Sequence, residues 1–102
     1  MDILVRIKRL VLQDNVAFTR KAREEMDGGG LIDEDVIEAI INARRIDKVL
    51  RSKSRRRGAA REKLYVIKST TFSNLMVYTK GVIRAEADRQ VFYVLISSKR
   101  AD

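Results

Sequence analysis

The sequence predicts an α+β domain: three N-terminal helices followed by a four-stranded antiparallel sheet. Three observations point there. Apolar residues recur at helical spacing up to about residue 41. After residue 46 the segments become rich in Val, Ile, Tyr and Phe, as strands are. The links between those later segments are short, which favours antiparallel neighbours over crossovers. At 102 residues the chain is expected to form one domain spanning 1–102.

Asp2 is placed to cap a first helix whose apolar positions Ile3, Ile7, Leu10 and Val11 share a face, and which ends near Gln13. The stretch NVAF then reads as a short extended link. Thr19 is a second N-cap, with Ala22 and Met26 one turn apart on one face, and Gly28-Gly29-Gly30 stops that helix. Asp33 starts a third helix, with Asp35 in its positive first turn and Ile32 able to staple onto Ile37. Val36, Ile37, Ile40 and Ile41 form its apolar stripe, and Asn42 to Arg45 its end. Four strands follow, IDKVLRS (46–52), KLYVIKS (63–69), NLMVYTKGVIR (74–84) and QVFYVLISSK (90–99). The last two are almost continuously apolar, as central strands are. Strand alternation puts Met76, Tyr78 and Lys80 on one face. It groups Tyr93, Leu95, Ser97 and Lys99 on one face, and Phe92, Val94, Ile96, Ser98 and Arg100 on the other.

Composition narrows the chemistry. There is no cysteine and no histidine, so disulfides, thiolate metal sites and a conventional zinc site are excluded. The usual general base near neutral pH is missing as well. No apolar run approaches the ~20 residues that span a bilayer. Arg6, Lys8 and Arg9 interrupt the apolar start in a way no secretory signal would, so the expected location is the cytoplasm, away from membranes. The net charge is +8 and it is lopsided. Residues 1–45 hold 8 Lys/Arg against 9 Asp/Glu, whereas residues 46–102 hold 14 against 5. Such a field attracts polyanions, of which nucleic acid is the commonest inside cells.

Four groups of residues carry candidate chemistry. RSKSRRRG, with Arg51, Lys53, Arg55, Arg56 and Arg57, reads as a phosphate-gripping loop, or else as a solvated surface loop or a localisation tag. Tyr78 and Lys80 project side by side from one strand. A like charge nearby disfavours the protonated form of a lysine, so such a pair can move protons. The plain alternative is a half-buried tyrosine beside a snorkelling lysine. Lys99 and Arg100, after Ser97 and Ser98, are either site cations or a solubilising terminus. Lys68 and Tyr65 form a weaker set on opposite faces of one strand. Asp33-Glu34-Asp35 reads as a helix start, not a metal site.

FTRKAREEMDGGGLIDEDVIEAI, followed by KLYVIK, LMVYTKGVI and FYVLISSKR, resembles the MqsR kind of bacterial toxin and the BrnT-like and RelE/ParE-like small domains around it. The likeness runs from Val16 to Arg100 and rests on element order and short local matches. It implies a RelE-like fold and a metal-independent endoribonuclease toxin of a type II toxin–antitoxin pair. It also implies a co-encoded antitoxin as partner and no cofactor. VYTK looks like the family's tyrosine-bearing strand, which gives that role to Tyr78. SSKR looks like the family's terminal ending, which gives the terminal lysine role to Lys99. The chain departs from the pattern at Lys21, where related domains carry histidine in F-T-x-H-A. The family's glutamine has no clear counterpart, and Lys63 or a neighbour occupies that region.

RNA supplies its own nucleophile, the 2′-OH. A ribonuclease therefore needs only a base for that hydroxyl, cations for the phosphorane and an acid for the leaving oxygen. Lys, Arg and Tyr can provide these. The expectation is cleavage of single-stranded RNA by Tyr78, Lys80, Lys99 and Arg100. Arg51, Lys53, Arg55, Arg56, Arg57 and Lys68 would hold the backbone. The alternatives are a non-catalytic nucleic-acid-binding module, or a decayed toxin that acts only through its partner.

Overall fold

A computed structural model describes residues 2–52, 62–85 and 90–102. Helix α1 (Ile3–Leu12) begins where the Asp2 carboxylate accepts the Leu4 N–H at 2.8 Å. It buries Leu4, Ile7, Leu10 and Val11, one stripe at helical spacing. Helix α2 (Arg20–Gly29) is capped by the Thr19 hydroxyl, which accepts from the Ala22 N–H at 3.2 Å. Gly30 ends it in the left-handed region at φ 72°, which lets the Leu31 N–H reach the Met26 carbonyl at 2.8 Å. The first two glycines of the triplet are thus inside the helix. Helix α3 (Asp33–Asn42) starts with the Asp35 carboxylate reaching back to the Ile32 N–H at 3.0 Å. Ile32, expected to close over Ile37, is 60% exposed. At the other end of α3, Lys8 Nζ donates to the Ala43 carbonyl at 2.6 Å.

The sheet differs from the expectation. It has five strands and is mixed, not four-stranded and antiparallel, with the order β1-β5-β4-β3-β2. Strand β1 (Val16–Phe18) is the segment expected to be a link, and it pairs in parallel with β5 (Val91–Arg100). Its three residues are too few to show a two-residue period, and its partner lies near the far end of the chain. The remaining strands, β2 (Lys48–Arg51), β3 (Lys63–Thr70), β4 (Met76–Ala85) and β5, pair antiparallel in sequence order. Strands β4 and β5 are central, as their apolar runs implied.

All three helices lie on one face. Ile7, Met26, Val36 and Ile40 pack there against Tyr65, Ile67, Val77, Tyr93 and Leu95 in one cluster. Val66, Val82 and Val94 are buried too, yet they stand outside that cluster, on the other face of β3, β4 and β5. No helix among the described residues is long and apolar enough to cross a membrane.

Candidate functional site

The face away from the helices carries a row of three side chains. Register sets Lys68 of β3 opposite Tyr78 of β4, and Tyr78 opposite Lys99 of β5. Directly opposed residues hold their Cβ atoms about 4.5–5.5 Å apart, so the three are neighbours. Lys99 Nζ lies 5.3 Å from the centroid of the Tyr78 ring. Lys80, one pleat along β4, sits between Val66 and Ser97 on the same face. Lys68, Met76, Tyr78, Lys99, Arg100 and Ala101 line a concavity of about 560 Å³.

Lys99 reaches this face through a bulge. Between the pairs Gly81–Leu95 and Lys80–Ser97, β4 advances one residue and β5 advances two. Ile96 is the extra residue. Uninterrupted alternation would group Lys99 with Leu95 and Tyr93, under the helices. The bulge reverses the alternation, and Lys99 emerges beside Tyr78. Neither expected grouping of β5 survives the bulge: Lys99 leaves the face of Tyr93 and Leu95, and Ser98 and Arg100 leave that of Phe92 and Val94. The bulge is held from the side. The Thr19 hydroxyl donates to the Ile96 carbonyl at 3.2 Å, and the Thr19 N–H to the Leu95 carbonyl at 2.9 Å. Past it, the Glu25 carboxylate of α2 accepts from Ser97 Oγ at 2.8 Å and from the Ser98 N–H at 3.1 Å. Helix α2 thus satisfies the edge of β5 where β1 has ended.

Arg100 does not join the row. It pairs with Val77, which is in the helix-side core, and its stem lies against Gly29 of α2. Its guanidinium forks onto Asp102, with Nε–Oδ1 at 3.1 Å and Nη2–Oδ2 at 2.9 Å. Those hydrogen bonds hold the Asp102 carboxyl below the usual carboxylate range and the Arg100 guanidinium above its own. Arg51 ends β2 opposite Lys63, five residues along β3 from Lys68 and so about 17 Å away at 3.3–3.4 Å per residue. Lys53, Arg55, Arg56 and Arg57 lie outside the described residues.

The sequence alone marks Arg44 and Arg45 only as the end of a helix. Both are exposed, and they line a second concavity that shares Lys68 and Met76 with the first. A pair of adjacent arginines just past a helix was the available signal, but nothing local connects it to Lys68.

Two ammonium groups flanking a phenol can neutralise an anion and exchange protons with it. Tyr78 and Lys80 are half-buried while Lys68 and Lys99 are exposed, so the row is reachable from solvent and anchored on rigid strands. No protein-family model, no curated protein and no solved structure matches the chain.

Proposed function

We propose that the chain is a metal-independent endoribonuclease that cuts single-stranded RNA, a cytoplasmic toxin restrained by a co-encoded antitoxin. One observation carries the reading: Lys68, Tyr78 and Lys99 stand in register on the face of the sheet away from the helices, with Lys80 beside them. In the reaction the 2′-oxygen bonds to the adjacent phosphorus and the bond to the 5′-oxygen breaks. A cyclic phosphate and a 5′-hydroxyl result. The proton lost by the 2′-OH and the one gained by the 5′-oxygen pass through Tyr78 and Lys80. Lys68 and Lys99 neutralise the charge that develops on the phosphorane oxygens. Arg100, already paired with Asp102, has no part in the step.

The test is incubation of purified protein with single-stranded RNA in chelator-treated buffer. The intact protein should cleave, and Tyr78→Phe and Lys99→Ala should each cut the rate by about 10²-fold or more, the scale of general acid–base help. Induction alone in a bacterium should arrest growth, and the Tyr78→Phe, Lys99→Ala double variant should not. Salt-dependent RNA binding without cleavage would sink the nuclease and leave a binding module. Growth unaffected by the intact protein would sink the toxin.

A further inference from the structure

The proposed reaction leaves one group of cations unused. Arg44 and Arg45, just past α3, form with Asn42, Lys68, Thr70 and Met76 a concavity of about 370 Å³. Among the described residues, Arg44, Arg45 and Lys68 make no ion pair. Three positive charges therefore converge on one concavity, none of them in an ion pair with a described carboxylate.

The turn joining Thr70 to Met76 borders the same concavity and carries Phe72, which is 77% exposed. That turn is fixed in place. The Thr71 N–H donates to the Leu75 carbonyl at 2.9 Å, and the Leu75 N–H to Thr71 Oγ1 at 3.1 Å. Helix α3 grips it as well, through Glu38 on the Phe72 N–H at 3.1 Å and Asn42 Nδ2 on the Thr70 carbonyl at 2.9 Å. Thr71, the hub of these bonds, is 3% exposed. Holding a phenyl ring in water on so firmly bonded a turn does nothing for the core. An exposed ring on the turn that borders a cationic concavity fits a ligand that is anionic at one end and flat and apolar at the other.

We propose that this concavity is a second nucleotide subsite. Arg44 and Arg45 hold a phosphate, Phe72 and Met76 face its base, and Lys68 is the shared post across which a single strand passes to Tyr78. The proposal deepens the nuclease reading and rests on it for the direction of the strand.

Binding of fluorescent 2′-O-methyl oligoribonucleotides, which lack the attacking hydroxyl, separates the two claims. The full chain is titrated with a dinucleotide and a hexanucleotide at several salt concentrations. Arg44→Gln with Arg45→Gln should weaken the hexanucleotide about tenfold or more and lower its salt slope by about 0.7, the change expected for one phosphate of a single strand. Dinucleotide binding should be unchanged. Phe72→Ser should cost about fivefold or more on the hexanucleotide with the slope unaltered. All three positions are exposed, so folding should be intact, and a thermal melt checks it. Hexanucleotide binding equal to the parent in both variants overturns the subsite, whether or not RNA is cut. The expected losses, in a protein that cuts no ordinary RNA, leave the subsite standing and remove the nuclease reading alone.

Discussion

Replacing Gly81 by alanine puts a methyl group where the fold has no room for one. A Cβ there would stand 2.3 Å from Tyr93 Cζ, 2.5 Å from its hydroxyl oxygen and 2.8 Å from Cε2. Non-bonded carbons are comfortable at about 3.5–4.0 Å, so ring and strand must separate by roughly 1 Å or more. Tyr93 is 0% exposed and belongs to the helix-side cluster, so the ring cannot swing into solvent. Overpacking costs about 1–3 kcal/mol, and a clash with a fully enclosed ring belongs at the upper end, about 3 kcal/mol. At roughly 4–8 °C per kcal/mol for a domain of this size, Tm should fall by about 12–24 °C, read by circular dichroism. Tyr93→Leu in the same chain removes the far end of the ring. The double variant should therefore lose at least about 1 kcal/mol less than the sum of the single losses. A Gly81→Ala melt within about 4 °C of the parent, or losses that add to within about 0.5 kcal/mol, would refute the close-approach explanation.

Three further outcomes follow from the same packing. Burial, and secondarily Tyr65, push the Tyr93 hydroxyl well above its ordinary value of 10.0. The unfolded chain would then ionise near pH 10 while the folded one keeps its proton. The contribution of this hydroxyl is complete below that pH and falls above it, by at most about 1.4 kcal/mol per pH unit. Between pH 9 and 11 in urea, the parent should lose about 1 kcal/mol more than Tyr93→Phe, and equal losses would count against it. Glu25→Ala strips the acceptor from Ser97 Oγ and the Ser98 N–H and should cost about 1–3 kcal/mol in chemical denaturation. Glu25→Gln keeps an acceptor oxygen and should cost under about 1 kcal/mol; equal costs would show that hydrogen bonding is not the reason. Thr19→Ala removes both a helix cap and the bond to the Ile96 carbonyl and should cost about 1–2 kcal/mol, with Thr19→Ser restoring most of it.

The helices were legible because their signals are local. Asp2 and Thr19 bond to N–H groups two and three residues on, and the stripe Ile7, Leu10, Val11 lies within a single helix, although Leu4 takes the buried place expected of Ile3. The four later strands were legible from composition and from their short links. Strand β1 was not, since a three-residue parallel strand depends on a partner that returns only after α2, α3 and the three strands β2, β3 and β4. The face of Lys99 was hidden for a different reason. Alternation predicts faces only while pairing is regular, and nothing in VFYVLISSKR marks Ile96 as supernumerary. Its accommodation is decided by Thr19 and Glu25, far away in sequence. The likeness of Arg44 and Arg45 to a plain helix end concealed their convergence with Lys68, which depends on how the chain turns from α3 into β2.

Lys99 and Arg100 are adjacent, yet the pleat sends them to opposite sides of the sheet, and their charges do different work. Arg100 lies at the border of the same concavity, but its guanidinium is engaged by Asp102. Lys99 has an aromatic ring as its partner. A cation over a ring at an exposed site gains about 0.5–1 kcal/mol, enough to favour one position for the ammonium without cancelling its charge. An anion arriving 4 Å from such an ammonium gains about 4 kcal/mol at an effective dielectric constant near 20, against about 1 kcal/mol in bulk water. The ring therefore orients the cation and leaves its attraction available, whereas a carboxylate in the same place would orient it and consume that attraction. A phenol between two lysines is thus a better anion site than the same lysines paired with acids. The bulge at Ile96 makes that arrangement possible by bringing Lys99, and not Arg100, to the side where Tyr78 stands.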